Sequence, residues 1–108
     1  MKYKIIIRPE AENDLKSAFD WYEDQREGLG FDFLFQVDEG IKFIENNPKV
    51  LSQEYKGTRK YIIKRFPYKI VYLVKNDKII IIAVIHCKRS TNIIRKRIDN
   101  RHGPKMYS

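Results

Sequence analysis

Apolar residues recur at helical spacing through most of the first half of the chain. Residues 2–8, KYKIIIR, are short and β-branched and predict a first strand. After Pro9, which suits the first turn of a helix, the apolar repeat predicts a helix that ends near Gly28 and Gly30. A second helix is predicted to run to about Asn47. The short glycine-containing connection makes the two an antiparallel helical hairpin.

The second half of the chain has the apolar pattern of β-strands. Residues 59–65 and 68–74 predict two strands, joined to a third over residues 79–85 by a turn at 75–78. The third segment, IIIIAVI, is apolar at every position and predicts a central strand buried on both faces. The order β-α-α-β-β-β predicts an α+β fold. Its helical hairpin packs on one face of a small, mostly antiparallel sheet and leaves the other face open.

A basic tail follows the last predicted strand. The segment TNIIRKRID, residues 91–99, is compatible with a short helix, and the residues after it are expected to fray. A chain of this length predicts one domain. We place that domain at residues 1–98 and a flexible tail at residues 99–108.

Cysteine content and hydropathy limit the class of protein. The single cysteine, Cys87, excludes an internal disulfide and fits a reducing compartment. No apolar segment approaches the roughly 20 residues that span a bilayer. The N-terminus also lacks the apolar region of a signal peptide. We therefore expect a soluble, cytoplasmic protein without membrane contact.

The charge is divided unevenly along the chain. Residues 1–54 hold 7 Lys and Arg against 12 Asp and Glu, whereas residues 55–108 hold 15 Lys and Arg against 2 Asp. The net charge of +8 therefore hides a strongly basic second half. Such a surface favours a polyanionic partner, either nucleic acid or an acidic protein segment.

Basic side chains on neighbouring strands are expected to converge on the open face of the sheet, because alternate residues of a strand share a face. Together with nearby tyrosines, such a surface suits phosphate contacts and base stacking. The predicted binding residues are Lys60, Lys64, Lys69, Lys88 and Arg95. Taken singly, strand lysines also serve to protect sheet edges, which is the simpler interpretation of Lys60, Lys64 and Lys69.

Three residues are candidates for catalysis. Histidine is the residue type best suited to proton transfer at neutral pH, which singles out His86 at the end of the central strand. Arg65 and Arg89 carry guanidinium groups suited to bidentate contact with phosphate. The structural alternatives are a backbone hydrogen bond for His86 and bridges to the acidic first half for the two arginines. No metal-ligand spacing, glycine-rich phosphate loop or Ser/His/Asp pattern occurs, so neither a metal nor a cofactor is expected.

Aromatic residues are concentrated in the predicted helical hairpin. We expect them to serve core and inter-helix packing, which is the usual role of aromatic side chains at helical spacing. The residues are Trp21, Tyr22, Phe31, Phe33 and Phe35.

Two segments resemble one family of small proteins. Residues 65–90, RFPYKIVYLVKNDKIIIIAVIHCKRS, are similar to the FPY-x-I-x-Y … V-x-H-x-x-R signature of ParE-like, plasmid-stabilisation members of the RelE/ParE superfamily. The segment RPEAENDLKSAFDWYEDQREGLGFDF resembles the helical hairpin of the same group. The resemblance covers roughly residues 3–97. It implies a growth-inhibiting toxin of a type II toxin–antitoxin system, neutralised by a cognate antitoxin protein in a hetero-oligomer.

The resemblance leaves two targets open, since ParE-like members poison DNA gyrase and RelE-like members cut messenger RNA on the ribosome. Lys60, Lys69 and Arg89 fall where the nuclease branch carries basic catalytic residues. Ile62 stands in the place of a further lysine, and Arg95 falls near the place of a C-terminal tyrosine. These departures favour a ParE-like gyrase poison. The alternatives are a metal-independent, ribosome-dependent endoribonuclease, a non-toxic nucleic-acid-binding domain and a degenerate toxin that only binds its antitoxin, so whether the protein is an enzyme stays open.

Overall fold

The computed structural model describes residues 2–102, with side chains to Asp99. Its elements follow the predicted order, with a further helix after the last strand. They are β1 (Lys4–Ile7), α1 (Pro9–Gln25), α2 (Leu29–Asn46), β2 (Arg59–Ile62), β3 (Tyr68–Lys75), β4 (Lys78–His86) and α3 (Thr91–His102). A single 3-10 turn at Tyr55–Gly57 precedes β2.

The four strands form one sheet in the order β1-β4-β3-β2. β1 pairs with β4 in parallel, and the other two pairings are antiparallel, which confirms the mostly antiparallel sheet. The β3–β4 hairpin closes at Lys75 and Lys78, as the sequence predicted. Its register shifts between Val71, which pairs with Ala83, and Tyr72, which pairs with Ile81. This β-bulge interrupts the regular alternation of β4 side chains between the two faces of the sheet.

The α1–α2 connection depends on one glycine and one carboxylate. Gly28 has a φ of 89°, a left-handed conformation that glycine adopts at little cost. The Glu23 carboxylate accepts hydrogen bonds of 2.8 Å from the backbone N–H groups of Gly28 and Gly30. Gly30 lies inside α2, so the expectation that it breaks the helix was wrong. A Cβ atom there would lie 2.7 Å from the ring of Phe19, so the absence of a side chain lets the helices approach closely.

The main core lies between the helical hairpin and the sheet. α2 presents a buried stripe at helical spacing to the sheet, which includes Phe33, Val37 and Ile44. The buried strand residues on this side are Ile70, Tyr72, Ile79, Ile81 and Val84. Each fully buried side chain of this kind contributes about 1.5–3 kcal/mol relative to exposure.

The second face of the sheet is covered in part by α3. Ile94 and Ile98 of this helix pack with Val71, Ile82 and Ile85 in a separate apolar cluster. The expectation that this face is open was therefore wrong for its central part. α3 runs through His102, four residues past the domain boundary predicted at 98, and residues 103–108 of the predicted tail lie outside the described residues.

A salt bridge fastens α3 to α1 along the edge of β4. β1 pairs with β4 only as far as Ile81, so the later backbone groups of β4 lack a strand on that side. Asp14 of α1 accepts a 3.0 Å hydrogen bond from the Val84 N–H, and Arg97 of α3 donates to the Ile82 carbonyl at 3.1 Å. The two side chains join each other at 2.7 and 3.0 Å. We call this ion pair the Asp14–Arg97 clamp. It satisfies the Val84 N–H and the Ile82 carbonyl at the edge of β4, and it fixes the position of α3.

Two sequence expectations about local placement were wrong. β2 ends at Ile62, not at residue 65, and Arg65 adopts a left-handed φ of 71° in the connection to β3. Among the hairpin aromatics, Phe33 is fully buried as expected. Trp21 and Phe35, by contrast, are 56% and 59% exposed, whereas Phe31 is 64% exposed but makes the expected inter-helix contact with Phe19. Both helices therefore carry aromatic surface that the core does not use.

Candidate functional site

His86 and Arg89 line one cleft at the end of β4. The cleft has a volume of about 290 Å³ and lies between this strand end and α1. The His86 ring packs edge-on against the ring of Tyr68 at a centroid distance of 5.4 Å. The other lining residues include Asp14, Trp21 and Val84. The arrangement offers a cation, an imidazole and an exposed aromatic face to a ligand.

Hydrogen bonding assigns the tautomer of His86. Its Nδ1 accepts a 3.1 Å hydrogen bond from the backbone N–H of Lys88. A neutral imidazole that accepts at Nδ1 carries its proton on Nε2. A backbone hydrogen bond was the alternative to a catalytic role that the sequence left open for His86. This bond holds the imidazole ring in the cleft. The Lys88 side chain itself is exposed.

Tyr68 connects the cleft to the main core. Burial raises the pKa of the Tyr68 hydroxyl, the positive charge of Arg89 lowers it, and the Asp14 carboxylate raises it. The net effect is a raised pKa, so this hydroxyl is protonated at neutral pH and acts as a neutral hydrogen-bonding group.

Lys60 and Lys69 share a second, smaller pocket beneath the start of α3. Its volume is about 30 Å³, roughly that of one water molecule. Lys69 is only 7% exposed, and its ammonium group has no hydrogen-bond or ion-pair partner among residues 2–99. Lys60 binds the Glu54 carboxylate at 3.4 Å. This Lys69 pocket suits one anionic oxygen, because two lysine side chains line it and an ammonium group forms a strong hydrogen bond with a charged acceptor.

The two sites lie on opposite faces of the sheet. Tyr68 and Lys69 are neighbours in β3, so their side chains project to opposite sides. Tyr68 packs with His86 on the hairpin side, whereas Lys69 lies in the pocket bordered by α3. The pair His86 and Arg89 is thus separated by the sheet from the pair Lys60 and Lys69.

The remaining predicted residues lie apart from both sites. The Arg65 guanidinium is 3.7 Å from the Asp32 carboxylate and 5.4 Å from the centre of the Phe66 ring. Lys64 lines a groove of about 500 Å³ between α2 and β2. Arg95 of α3 stacks over the Tyr55 ring at 4.9 Å. Of the residues predicted to be catalytic, the structure brings together His86 and Arg89 but not Arg65.

Sequence reasoning missed Trp21 and the Asp14–Arg97 clamp. Trp21 was assigned to packing, although tryptophan at the edge of an acidic helix is equally compatible with a binding surface. Asp14 and Arg97 are 83 residues apart, and nothing in their local patterns connects them. Hydrogen bonding to Asp14 raises the pKa of Arg97, and burial opposes this.

Within the described residues, the structure offers neither a metal-binding cluster nor a membrane-spanning helix. Among them, no three His, Cys, Asp or Glu side chains are grouped so that they would hold a metal ion. Over the same part of the chain, none of the helices combines the length and the apolar character needed to cross a membrane.

Comparison of the sequence with known proteins gives consistent matches. The family model described as the ParE toxin of the type II toxin–antitoxin system parDE matches residues 5–91. Toxin ParE2 of Mycobacterium tuberculosis, in strains CDC 1551 / Oshkosh and H37Rv, is 27% identical to this chain over 103 residues. That alignment covers 94% of this chain and 97% of the relative.

Solved structures share the fold. A chain of the chromosomal ParDE system from P. aeruginosa superposes with a TM-score of 0.71 at 18% identity, covering 79% of this chain and 96% of its own length. A variant of the E. coli toxin RelE in the free state superposes with a TM-score of 0.65 at 13% identity. That match covers 93% of this chain and 98% of the RelE chain. At these identities the similarity concerns the fold alone.

Proposed function

This chain belongs to the ParE toxin family of type II toxin–antitoxin systems, and from that membership we propose that it arrests growth by poisoning DNA gyrase. The family match over residues 5–91 carries this proposal, because gyrase is the target implied by the ParE-like resemblance. The likeness to RelE is one of fold, and a shared fold does not transfer a target. Gyrase acts in the cytoplasm, so the proposal places the toxin there as well.

The separation of the candidate residues supports a binding function over RNA cleavage. A metal-free ribonuclease needs a proton-transfer group and phosphate-binding cations around one scissile bond. Here His86 lies on one face of the sheet and Lys69 on the other. Arg65 is engaged with Asp32. The arrangement therefore favours a toxin that acts through contacts.

Membership of the family implies an antitoxin partner, and the charge of the chain suggests its chemistry. The Lys69 side chain is only 7% exposed, and its ammonium group has no hydrogen-bond or ion-pair partner among residues 2–99. A carboxylate of the antitoxin that reached this group would gain a strong, charge-assisted hydrogen bond. The same carboxylate would compete with Glu54 for Lys60. We therefore assign the Lys69 pocket to an acidic antitoxin segment in a toxin–antitoxin hetero-oligomer.

Two purified assays distinguish the targets. In the first, gyrase, supercoiled plasmid and ATP are incubated with the toxin, and linear DNA is counted after detergent and protease treatment. In the second, a preformed messenger RNA is translated in a purified cell-free system and its ends are mapped by primer extension. We expect linear DNA in the first assay and unchanged RNA ends in the second. New RNA ends at the ribosomal A site with inactive gyrase assays would establish the endoribonuclease instead.

Substitutions in the cleft locate the active surface in whichever assay responds. Arg89→Ala removes a cation that lines the cleft, whereas Lys88→Ala removes an exposed neighbouring side chain and keeps the backbone N–H that bonds His86. We expect Arg89→Ala to lower activity by roughly tenfold or more, as for a central arginine of an interface, and Lys88→Ala to leave it near wild type. Equal effects of the two substitutions would show that the cleft is not the active surface of the toxin. In an RNA-cleavage assay, His86→Ala with an unchanged rate would exclude proton transfer by this residue.

The antitoxin assignment has its own test. A small acidic open reading frame is expected beside this gene, and its product should copurify with the toxin. Lys69→Met keeps the volume of the buried side chain and removes its charge, so it should weaken the complex by roughly tenfold or more. Lys64→Met, outside the pocket, serves as the matched control. An unchanged dissociation constant for Lys69→Met would place the antitoxin elsewhere.

A further inference from the structure

The outer side of the helical hairpin carries an apolar groove that the fold itself leaves unfilled. It lies between α1 and α2, has a volume of about 280 Å³, and is lined by Leu15, Lys16, Phe19, Phe31 and Leu34. Phe35, one residue later on α2, is also exposed but lines the separate groove between α2 and β2. We call the surface formed by Leu15, Phe19, Phe31 and Leu34 the hairpin groove.

The aromatic surface of the hairpin groove is held in place. The Phe31 ring packs edge-on against the Phe19 ring at a centroid distance of 4.9 Å. Phe19 in turn lies against Gly30, where even a methyl group would be 2.7 Å from its ring. Phe31 is therefore exposed over 64% of its surface without being free to fold back into the core. Fixed, exposed aromatic side chains of this kind are the usual anchors of protein interfaces.

Charge around the groove limits its occupant. Residues 9–46 hold eleven Asp and Glu against three Lys and Arg. Lys16 at the groove is already paired with Asp20 at 3.2 Å, and Lys42 further along α2 is paired with Asp38 at 3.3 Å. An acidic antitoxin segment fits the basic second half of the chain and not this surface. A second hairpin would also bring two acidic surfaces together, which is unfavourable.

We propose that the hairpin groove docks an apolar helix with basic flanks, belonging to a partner protein that is neither the antitoxin nor a second copy of this chain. The groove between two adjacent helices accepts the side-chain ridge of a third helix. Helix-in-groove recognition places apolar anchors at positions i, i+3, i+4 and i+7 of the partner. Lysine and arginine beside those anchors would meet the acidic surface of α1 and α2. This site is independent of the Lys69 pocket, so both are open to occupation at once.

Two synthetic helical peptides test the inference with full-length toxin. Both carry leucine at i, i+3, i+4 and i+7, and their flanking residues are either Lys and Arg or Glu and Asp. Fluorescence anisotropy gives the dissociation constants for wild type, for Phe31→Ser, and for Trp21→Ser. Trp21 is an equally exposed aromatic residue of α1 that lines the His86 cleft and not the groove, which makes it the matched control.

We expect the basic peptide to bind wild type at least tenfold more tightly than the acidic peptide. Phe31→Ser should lose roughly tenfold in affinity, and Trp21→Ser should bind as wild type. Thermal unfolding checks that Phe31→Ser is folded, which we expect because the replaced side chain is 64% exposed. Failure of the basic peptide to bind wild type, or equal binding by Phe31→Ser, would overturn the inference. Sedimentation that shows self-association lost in Phe31→Ser would assign the groove to a second copy and overturn the stated occupant. Neither result depends on the identity of the toxin's target.

Discussion

Arg97→Met should weaken the attachment of α3 to the rest of the fold. The substitution keeps an unbranched side chain of similar length but removes three hydrogen bonds, two to Asp14 and one to the Ile82 carbonyl. Asp14 then keeps its bond from the Val84 N–H and loses its counter-charge. What holds α3 afterwards is chiefly the apolar cluster around Ile94 and Ile98.

The magnitude follows from the burial of the pair. The Asp14 and Arg97 side chains are 14% and 19% exposed, so the carboxylate would stay largely buried without a partner. Breaking a buried pair in this way costs about 3–5 kcal/mol, and the residual exposure places the expected loss near about 3 kcal/mol. For a domain of this size, 1 kcal/mol corresponds to roughly 4–8 °C, which predicts a fall in Tm of about 12 °C or more.

Urea unfolding followed by circular dichroism measures the free energy of unfolding, and hydrogen exchange reports on α3 directly. The control is Lys16→Met, which removes an exposed pair with Asp20 and should cost less than about 1 kcal/mol. Adding Asp14→Asn to Arg97→Met should recover part of the loss, because the unpaired charge is then gone. A loss below about 1 kcal/mol for Arg97→Met would mean that the pair behaves as a surface ion pair, and the clamp would have to be abandoned.

Three further changes test other parts of the structure. Gly30→Ala places a methyl group 2.8 Å from a backbone carbonyl oxygen of α1. The free energy of unfolding should therefore fall by about 1–3 kcal/mol, despite the better helix propensity of alanine. An unchanged urea midpoint would contradict this close approach. Burial raises the pKa of Tyr22, Tyr68 and Tyr72 above 10.0, so these hydroxyls stay protonated in the folded state where the unfolded chain ionises. Stability should therefore be unaffected by these groups below pH 10 and fall as the pH rises beyond it, and equal unfolding free energies on both sides of that pH would refute the burial. Lys69→Met should raise the urea midpoint of the free toxin, because it places an apolar side chain where only 7% of the residue is exposed and removes a charge that has no partner among the described residues; a lower midpoint would contradict this.

The sequence predicted the element order because each segment has a clear apolar period of its own. It failed where a segment is apolar on several sides at once. α2 carries aromatic residues at three nearby positions, so its period does not say which of them faces the sheet. The glycines at positions 30 and 40 belong to the buried stripe of α2, and they were the available signal that this side makes the close contacts.

The candidate site was predictable in kind but not in arrangement. The sequence identified the basic residues within and beside the predicted strands, and strand alternation placed Lys60 and Lys69 on one face. It did not foresee that α3 would border them, because the helix is held there by a salt bridge between Asp14 and Arg97. Contacts between residues so distant along the chain have no signature in local pattern.

The parallel pairing of β1 with β4 has a consequence for synthesis. β1 is the first element that the ribosome delivers, yet its partner begins at Lys78, and Lys4 lies opposite that residue. Until β4 has emerged, β1 has no strand beside it and the helical hairpin has no central strand to pack on. Contacts between distant segments form late and slowly. An interrupted chain that ends before β4 is therefore expected to be harmless to the cell that makes it, and the toxin becomes competent only when its synthesis is nearly complete.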